Sequence, residues 1–571
     1  MLRWLFAISL FFLCFSTLGQ TGVWKIVWNG QEENNKDWKG VTKQNYKTFL
    51  QAFVAKKIEE GYLTASVDEV LVVDSLKQIH VKYYEGERFE CVNLDIQNVD
   101  IVTQLGYSER FFVQKPFRPK EYAVFYQKVL TFLENNGYPF ASVGLGGVVL
   151  DSNKISANLN IEKGQRISID TIYIKSNEKI AIETVYNYIG IHPKDWYSES
   201  ALQNVKTRIE EVPYWKEIKP LELEFKANGT CSVYIYLKST KANSFNGVLG
   251  LQPDGKGKTS VTGDAKVKLV NSFYRGETVF FNWRKTQQLT QALDLGGDYP
   301  FLFNTKFGID FKANLYKKDT TFLNSSVRIG VDYLFSGRNK FTLFFENKSS
   351  VMLSAKQYSD NVTLPDVIDV KMPNYGIALH YENLDYRFNP RKGVFGNLSA
   401  SFGQKKISKN QLLPLNLYDS IELHTVSYQI TAMLQYFIPL KRKSVILLRL
   451  RGESYTNSAI FINELYRLGG ERTIRGFDEE SIYASSYGVI TMEYRYLIER
   501  NSNLFIFIDY GILEQNLKKK YSFDELISFG SGISFETKPG IFRISYALGA
   551  RKDSPFYVKT AKVHFGFVSF F

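Results

Sequence analysis

The residues that could form a functional site lie in one long polar segment and in two apolar segments that follow it. The polar segment contains Arg475 and reads Leu468-Gly-Gly-Glu-Arg-Thr-Ile-Arg-Gly-Phe477. Acidic residues, Glu493 and Asp509, stand in the apolar runs that come next. A guanidinium carries five N–H donors in a fixed fork, which suits two carboxylates in a confined wet space. Taken alone, Ile474–Phe477 is also typical of a glycine-containing surface turn.

The sequence carries no signature of a catalytic or metal site. It has no Gly-x-Ser-x-Gly nucleophile motif. The segment Gly255–Thr259 lacks the first glycine of a phosphate-binding loop, and no helical pattern follows it. Cys91 and Cys231 stand in different predicted domains and make no disulfide framework. The histidines are scattered without the spacing of metal ligands: His80, His192, His380, His424 and His564. We therefore expect a protein that is not an enzyme and that needs neither a cofactor nor a metal.

Residues 1–19 are predicted to be a secretory signal peptide. A basic start, Met1–Arg3, precedes an apolar run from Trp4 to Leu18. That run is too short for a spanning helix, which needs about 20 residues. Small residues stand at Thr17 and Gly19, at the end of the run, and we place the cleavage site after Gly19. The rest of the chain has no apolar run of spanning length. A membrane location would therefore require a closed β-barrel, which also satisfies every backbone group in lipid.

The amino-acid composition also favours a transmembrane β-barrel. The chain has 44 Phe and 36 Tyr, and aromatic residues make up 15% of it. Such an aromatic load suits the girdles and lipid-facing strands of a transmembrane barrel. The formal net charge is +13, but Lys and Arg alternate with Asp along strand-like segments. We therefore expect wet strand faces, with anionic lipid headgroups as candidate partners and no nucleic acid.

The first 240 residues contain an internal repeat. The segment Gly61-Tyr-Leu-Thr-Ala-Ser-Val67 recurs as Gly137-Tyr-Pro-Phe-Ala-Ser-Val143. A helix-period segment precedes each copy, and two strand-like runs with a polar turn follow it. A third, diverged unit has a predicted strand at 167–174 and a predicted helix at 200–211. The predicted domains are residues 20–87, 88–165 and 166–240, followed by 241–571.

Period-two alternation replaces the helical period after Lys241. In Lys306–Leu315, apolar residues occupy one face and polar residues or glycine the other. Alternation alone is also compatible with a soluble β-sandwich, but the signal peptide and the aromatic load favour a barrel. Eleven candidate strands precede the Arg475 segment. Five follow it, starting near Tyr487, Asn503, Ile527, Gly540 and Lys559. The predicted fold class is thus tandem α+β modules followed by an all-β, 16-stranded antiparallel transmembrane barrel.

These features together resemble the BamA/TamA superfamily of outer-membrane barrels that insert or export other proteins. The resemblance is carried by Ile474-Arg-Gly-Phe477, by Phe507–Gly511, by Glu493-Tyr-Arg495 and by the aromatic end Val563–Phe571. The tandem repeats resemble POTRA domains, the periplasmic modules of that superfamily. Three units rather than five favour a TamA-like member over a BamA-like one. The resemblance implies a barrel in the outer membrane with its amino-terminal modules in the periplasm.

The resemblance also implies a site and a mechanism. Arg475 is expected to fold into the lumen and meet Asp509, with Glu493 as a second acceptor. Gly476 is expected to turn the loop tip, and Phe477 to pack it. The first strand, with Gly247 and Gly250, and the last, ending at Phe571, should form a weak lateral seam.

The implied partners are unfolded client outer-membrane or surface proteins and membrane lipids, with a periplasmic or inner-membrane protein at the exposed POTRA-like sheet edges. The modules could instead act only as spacers. Two alternative functions stay open. One is a polypeptide exporter of the two-partner-secretion type, and the other is a passive diffusion porin.

Overall fold

The computed structural model describes residues 24–29, 31–32, 41–96, 98–253, 259–287, 289–359, 363–386, 389–518, 520–538, 540–552 and 554–570. The predicted signal peptide, the rejected phosphate-loop residues 255–258 and Phe571 lie outside this part of the chain. Within it, no helix is both long and apolar enough to cross a membrane.

The first module is a four-stranded sheet with one helix packed on it. Its elements are β1 (Lys25–Trp28), β2 (Gln31–Glu32), α1 (Tyr46–Glu59), β3 (Ser66–Val73) and β4 (Gln78–Tyr84). The strand order is β2-β1-β4-β3, so β3 is an edge strand. Leu50 from the helix packs with Ile79 from the sheet in a buried core.

The second module repeats this plan. Its elements are β5 (Glu90–Ile96), α2 (Val99–Gln104), β6 (Lys115–Pro116), α3 (Pro119–Glu134), β7 (Ser142–Asp151) and β8 (Lys154–Glu162). The strand order is β6-β5-β8-β7, which makes β7 an edge strand. The repeated glycine has a backbone reason, because Gly61 and Gly137 follow α1 and α3 with φ of +107° and +96°. Residues with a side chain rarely adopt that conformation.

The third module has a three-stranded sheet and two helices. Its elements are β9 (Ser168–Lys175), α4 (Ile182–Ile189), α5 (Glu199–Glu211), β10 (Trp215–Lys226) and β11 (Thr230–Ser239). The strand order is β10-β11-β9. Helix α5 begins one residue before the predicted helix, whereas α4 was not predicted. It is only eight residues long, which is at the lower limit of what a sequence pattern can resolve.

The rest of the chain closes into an antiparallel barrel of eleven strands before the Arg475 segment and five after it. The barrel strands are β12 (Ser244–Pro253), β13 (Thr259–Val270), β14 (Thr278–Gln287), β15 (Thr290–Tyr299), β16 (Phe307–Lys318), β17 (Phe322–Ser336), β18 (Asn339–Met352), β19 (Val370–Leu384), β20 (Gly393–Ile407), β21 (His424–Lys441), β22 (Ser444–Thr456), β25 (Ser486–Leu497), β26 (Asn503–Leu517), β27 (Lys520–Thr537), β28 (Gly540–Arg551) and β29 (Lys562–Phe570). Two short strands, β23 (Tyr466–Leu468) and β24 (Ile482–Ala484), pair with each other between β22 and β25. The predicted fold class is confirmed.

One predicted strand start is wrong. Strand β27 begins at Lys520 rather than near Ile527. The acidic pair Asp524-Glu525 interrupts the apolar alternation before Ile527, yet Tyr521 and Phe523 point outward with 65% and 54% of their surface exposed. The strand therefore continues the outward apolar row into a region where polar residues face the lumen.

The loop lengths indicate which end of the barrel faces the periplasm. Long connections at one end span residues 353–369, 408–423 and 457–485, and the turns at the other end are short. Short turns are typical of the periplasmic side and long loops of the outer side. The third module lies at the short-turn end, where Tyr188 of α4 packs against Phe301 with ring centroids 4.9 Å apart. The Thr184 hydroxyl also donates to the backbone carbonyl of Tyr274 (3.2 Å).

Candidate functional site: a buried arginine loop beside a short seam

The connection between β22 and β25, residues 457–485, is called the arginine loop here. Its two short strands pair from Tyr466↔Ala484 to Leu468↔Ile482 and carry the loop tip, residues 469–481. Apolar side chains of the loop pack against lumen-facing side chains of the wall. They form one buried cluster of Leu468, Ile474, Ile482, Ala484, Tyr487, Val489, Leu513 and Leu526. The loop thus folds into the barrel because its apolar residues pack against apolar side chains of the barrel wall.

The tip approaches the wall so closely that two glycines are required. Gly476 has φ of +82°, and a Cβ added there would lie 2.7 Å from the backbone nitrogen of Gly549 in β28. A Cβ on Gly549 would in turn lie 2.7 Å from the Gly476 carbonyl oxygen. Phe477 packs against the apolar cluster of the loop. Gly476 was predicted to turn the tip, whereas Gly549 gave no signal in the sequence.

Arg475 lies between the two predicted carboxylates and is only 1% exposed. Its Nε and Nη2 donate to the two oxygens of Asp509 at 2.9 and 2.7 Å, a two-point contact with one carboxylate. Its Nη1 donates to Glu493 Oε2 at 2.7 Å. The guanidinium carbon also lies 3.3 Å from the ring centroid of Phe507. The structure therefore brings together Arg475, Asp509 and Glu493, while the role of this contact stays a prediction.

Glu493 is the centre of a wider network. Besides Arg475, it accepts from Arg495 Nε at 2.8 Å and from Arg543 Nη2 at 3.1 Å. Arg543 in β28 also donates to Glu471 of the arginine loop at 3.0 Å. Removing one partner from a fully buried ion pair costs about 3–5 kcal/mol, since the other charge stays buried.

Both carboxylates accept several hydrogen bonds from buried donors, most of them charge-assisted. In the part of the chain that the structure describes, no group of three His, Cys, Asp or Glu is placed to hold a metal ion. The arrangement can hold the loop in one position against the wall.

The arginine loop contacts the wall on both sides of the junction between the first and last barrel strands. On the side of the first strands, Arg472 pairs with Asp264 of β13 (3.0 Å), and Glu480 pairs with Arg284 of β14 (2.9 Å). On the side of the last strand, Asp478 pairs with Lys562 of β29 (2.7 Å). These contacts make the loop a strap across the junction.

A hydrogen bond adds a further link to the last strand. The backbone N–H of Gly476 donates to Nε2 of His564 in β29 at 3.3 Å. The sequence did not predict a functional position for His564 or for the ion pairs of the strap. These residues come from distant segments whose meeting depends on the barrel register.

The junction of β12 and β29, called the seam here, is short. Only Ser244↔Phe570 and Phe245↔Ser569 pair across it among the described residues. On its other side, β12 pairs with β13 along its whole length, from Ser244 to Pro253. The seam pairs lie at the short-turn end of the barrel.

The predicted seam residues take different places in this geometry. Gly247 and Gly250 pair with Ala265 and Thr262 of β13. Both lie in the stretch of β12 beyond its pairing with β29. Phe571 lies outside the described residues.

A second buried charge lies near the outer end of the barrel. Lys405 is fully buried, and its Nζ donates to Glu464 Oε2 at 2.6 Å. The Tyr455 hydroxyl donates to the other oxygen of Glu464 at 2.7 Å. An apolar cluster formed by the loops of this end lies beside them and contains Leu364, Leu413, Tyr418 and Phe461. The Lys405–Glu464 pair and the apolar cluster beside it form a cap at the outer end of the barrel. This cap was not predicted, because nothing in the sequence distinguishes Lys405 from the exposed Lys406 beside it.

One family model and several solved structures match this chain. Residues 271–571, more than half of the chain, match the Omp85 superfamily domain. CdiB from Escherichia coli has 13% sequence identity and a TM-score of 0.53, with 92% of this chain and 97% of that chain covered. CdiB from Acinetobacter baumannii has 12% identity and a TM-score of 0.52, with 86% and 91% covered. BamA from Haemophilus ducreyi lacking POTRA domains 1-3 has 15% identity and a TM-score of 0.44, with 85% and 100% covered.

At these identities the similarity to solved structures concerns the fold alone. None of the curated proteins matches the sequence. The superfamily match covers 14 of the barrel strands, all but β12 and β13, and the whole arginine loop. The chain therefore belongs to the Omp85 superfamily of outer-membrane barrels that insert or translocate proteins, and its amino-terminal modules lie in the periplasm.

Proposed function

We propose that this protein inserts client β-barrel or surface proteins into the outer membrane through the seam between β12 and β29. The observation that carries the proposal is the pairing of these strands through two residue pairs, Ser244↔Phe570 and Phe245↔Ser569. Among the residues that the structure describes, the seam-side backbone groups of β12 from Asn246 to Pro253 have no partner in β29. Likewise, those of β29 from Lys562 to Val568 have no partner in β12.

Such edges favour the addition of a client strand. An unpaired N–H or C=O group costs several kcal/mol in the hydrocarbon region. An incoming strand in extended conformation can satisfy these groups by backbone pairing, with little dependence on its sequence. The client would first pair with one edge and would then fold its later strands onto the first.

The ion pairs of the strap are weak enough to let the seam open. The strap ion pairs join side chains rather than backbones, and several of them are partly exposed, such as Lys562–Asp478 with 34% and 70% exposure. Exposed pairs contribute about 0.2–1 kcal/mol each. A client that pairs with several backbone groups could therefore replace them.

The short seam strands would also ease insertion by thinning the bilayer beside them. Strands β12 and β29 have 10 and 9 residues, whereas β21 and β27 on other parts of the wall have 18 each. A tilted strand needs about 9–11 residues to span the hydrocarbon region. The seam is therefore at the lower limit of length. A short wall thins the adjoining bilayer through hydrophobic mismatch, which would lower the barrier to insertion.

The periplasmic modules offer a place to receive clients or a partner protein. In the second module, the edge strand β7 exposes Val148, Val149 and Leu150 by 51%, 62% and 60%. An edge strand with exposed apolar residues is suited to pairing with an extended peptide. The proposed function involves no bond making or breaking and uses no cofactor.

A disulfide across the seam tests the proposal. In a Phe245→Cys/Ser569→Cys variant, the two cysteines replace directly paired residues and lie within the range of Cα distances that a disulfide requires, below about 7 Å. The oxidised protein should fold and reach the membrane but fail to assemble client barrels, and reduction should restore assembly. The matched control is Phe245→Cys/Val267→Cys, which joins β12 to β13 instead.

The outcomes separate the candidate functions. Full client assembly by the oxidised seam variant would exclude lateral insertion. If that variant still releases a secreted polypeptide, the protein is an exporter of the two-partner type that works through the lumen. If it passes small solutes as the native protein does and no client depends on it, the protein is a diffusion porin. Loss of assembly in the oxidised control would show that any cross-link near the first strand is harmful.

A further inference from the structure

An outward-facing row of basic residues crosses three strands near the outer rim of the barrel. Lys371 of β19 is directly opposite Lys406 of β20, and Lys406 is directly opposite His424 of β21. All three are exposed. They face away from the lumen, because the neighbour Lys405 points inward and is fully buried. This cationic row is far from the seam and is not used by the proposed function.

The row is unfavourable for the isolated barrel. Like charges directly opposite each other on neighbouring strands repel, and their Cα atoms are only about 4.5–5.5 Å apart. No carboxylate of the described residues forms an ion pair with Lys371 or Lys406. Asp369, two residues before Lys371, is engaged by the Met352 N–H (2.6 Å) and by Asn410 Nδ2 (2.8 Å). An anion from outside the protein would turn this repulsion into attraction.

An apolar groove lies directly below the row on the same outer face. Its volume is about 800 Å³. Aromatic rings on neighbouring strands border it, with centroids 5.2 Å apart for Phe345–Tyr375 and 6.2 Å apart for Tyr375–Phe402. Tyr428 continues the band opposite Phe402. Ala400 is opposite Ile377, two residues from Phe402 toward the short-turn end, and its small side chain leaves room below the rings.

The spacing of the two features matches a lipid. Lys371 and Lys406 each stand four residues beyond a ring of the band, Tyr375 and Phe402. Four residues rise about 13 Å along a strand, or about 10 Å along the membrane normal at a tilt near 40°. Aromatic bands mark the level where the hydrocarbon ends, so the lysines reach the headgroup level of the outer leaflet while the groove lies at the level of acyl chains.

We infer that Lys371, Lys406 and the groove below them form a binding site for a phosphate-bearing lipid of the outer leaflet. The two ammonium groups would hold one phosphate, and Lys is an established phosphate binder through its point charge. His424 would add a third donor at the edge of the row. An acyl chain would fill the groove over Ala400, below the rings of Tyr375 and Phe402.

Native mass spectrometry of the purified full chain in detergent micelles tests the site. The probes are an acylated glucosamine disaccharide with two phosphates, the same lipid without its phosphates, and inorganic phosphate. We expect the phosphorylated lipid to bind, and the Lys371→Ala/Lys406→Ala variant to bind it roughly tenfold more weakly, as for loss of charge-assisted contacts. The control Lys317→Ala/Lys318→Ala removes two charges from β16, where the directly paired residues are apolar or uncharged. It should change binding by less than about twofold.

Two further variants separate the lipid site from a general charge effect. Lys406→Glu creates an opposite-charge pair with Lys371, so the barrel should become at least as stable to heat while lipid binding is lost. Ala400→Trp points outward and fills the groove, so it should weaken lipid binding without changing the charge. Equal binding by the double-alanine variant, equal binding of the lipid without phosphates, or competition by inorganic phosphate at the lipid's own concentration would each overturn the proposal.

Discussion

The most informative perturbation of the arginine loop is Arg475→Met. Methionine keeps a long side chain that can lie over the Phe507 ring but removes every guanidinium donor. Asp509, 1% exposed, would then lose its contacts of 2.9 and 2.7 Å and would keep, among the donors in the described part of the chain, only the backbone N–H of residue 475 at 3.3 Å. Glu493 would keep Arg495 and Arg543. The main consequence is therefore an uncompensated charge at Asp509.

The expected loss of unfolding free energy follows from the difference between Asp509, which loses its charged partner, and Glu493, which keeps two. Removing one partner of a buried ion pair costs about 3–5 kcal/mol of unfolding free energy. Adding Asp509→Asn to Arg475→Met removes the stranded charge and should restore about 2 kcal/mol, within the range of coupling seen between contacting residues. Adding Glu493→Gln to Arg475→Met should restore nothing, because Glu493 still balances two arginines there. Glu493→Gln is thus the matched control.

Urea unfolding in detergent micelles measures this cycle. Folded barrels migrate differently from unfolded ones on gels run without heating, so the folded fraction can be read at each urea concentration. Protease cleavage within the loop tip, residues 469–481, reports separately whether the loop has left the lumen. The reasoning is refuted if Arg475→Met is as stable as the native protein, or if the effects of Arg475→Met and Asp509→Asn simply add.

Three further predictions follow from the geometry. Gly476→Ala should expel the loop tip and speed its proteolysis, because a Cβ would lie 2.7 Å from the Gly549 nitrogen, whereas Gly488→Ala, whose nearest contact would be at 3.8 Å, should behave as native in the same assay. Lys405→Met should lower the unfolding free energy by about 3 kcal/mol, and Glu464→Gln should recover part of that loss in the urea titration. Raising the salt concentration from 0.01 to 1 M shortens the screening length from about 30 to 3 Å and so weakens the ion pair between Lys562 and Asp478. The Asp478→Asn variant lacks this pair, so its seam should open readily at either salt concentration. The native seam should open faster only at high salt, measured as the rate of thiol labelling at Ser569→Cys.

Much of the architecture could be predicted because it rests on local periodicity. The change from helical to period-two patterns after Lys241 located the barrel, and the resemblance to the BamA/TamA superfamily is confirmed at the level of the superfamily. A TamA-like rather than BamA-like membership stays a prediction. The domain boundaries and the roles of the site residues also stay predictions.

The remaining features depend on contacts between distant segments. Arg472 and Asp264 are far apart in sequence and meet because the barrel closes between them. Lys405 and Lys406 are identical in type, and only the pleat of β20 turns Lys405 into the barrel and Lys406 to its outer face. Gly549 is required by a loop that arrives from elsewhere. No pattern within one segment carries such information, since register and loop path are properties of the closed barrel.

The position of the two seam pairs determines how the wall would yield to a load. Ser244↔Phe570 and Phe245↔Ser569 are adjacent and lie at one end of the junction. A force that separates the strands sideways would therefore act on the pairs one after another, as in peeling, rather than on a long ladder at once, as in shear. The mechanical resistance of the seam would then be that of a single pair and would not grow with strand length. An element that pulls on the third module, next to Ser244 in the chain, would act directly on this last point of attachment.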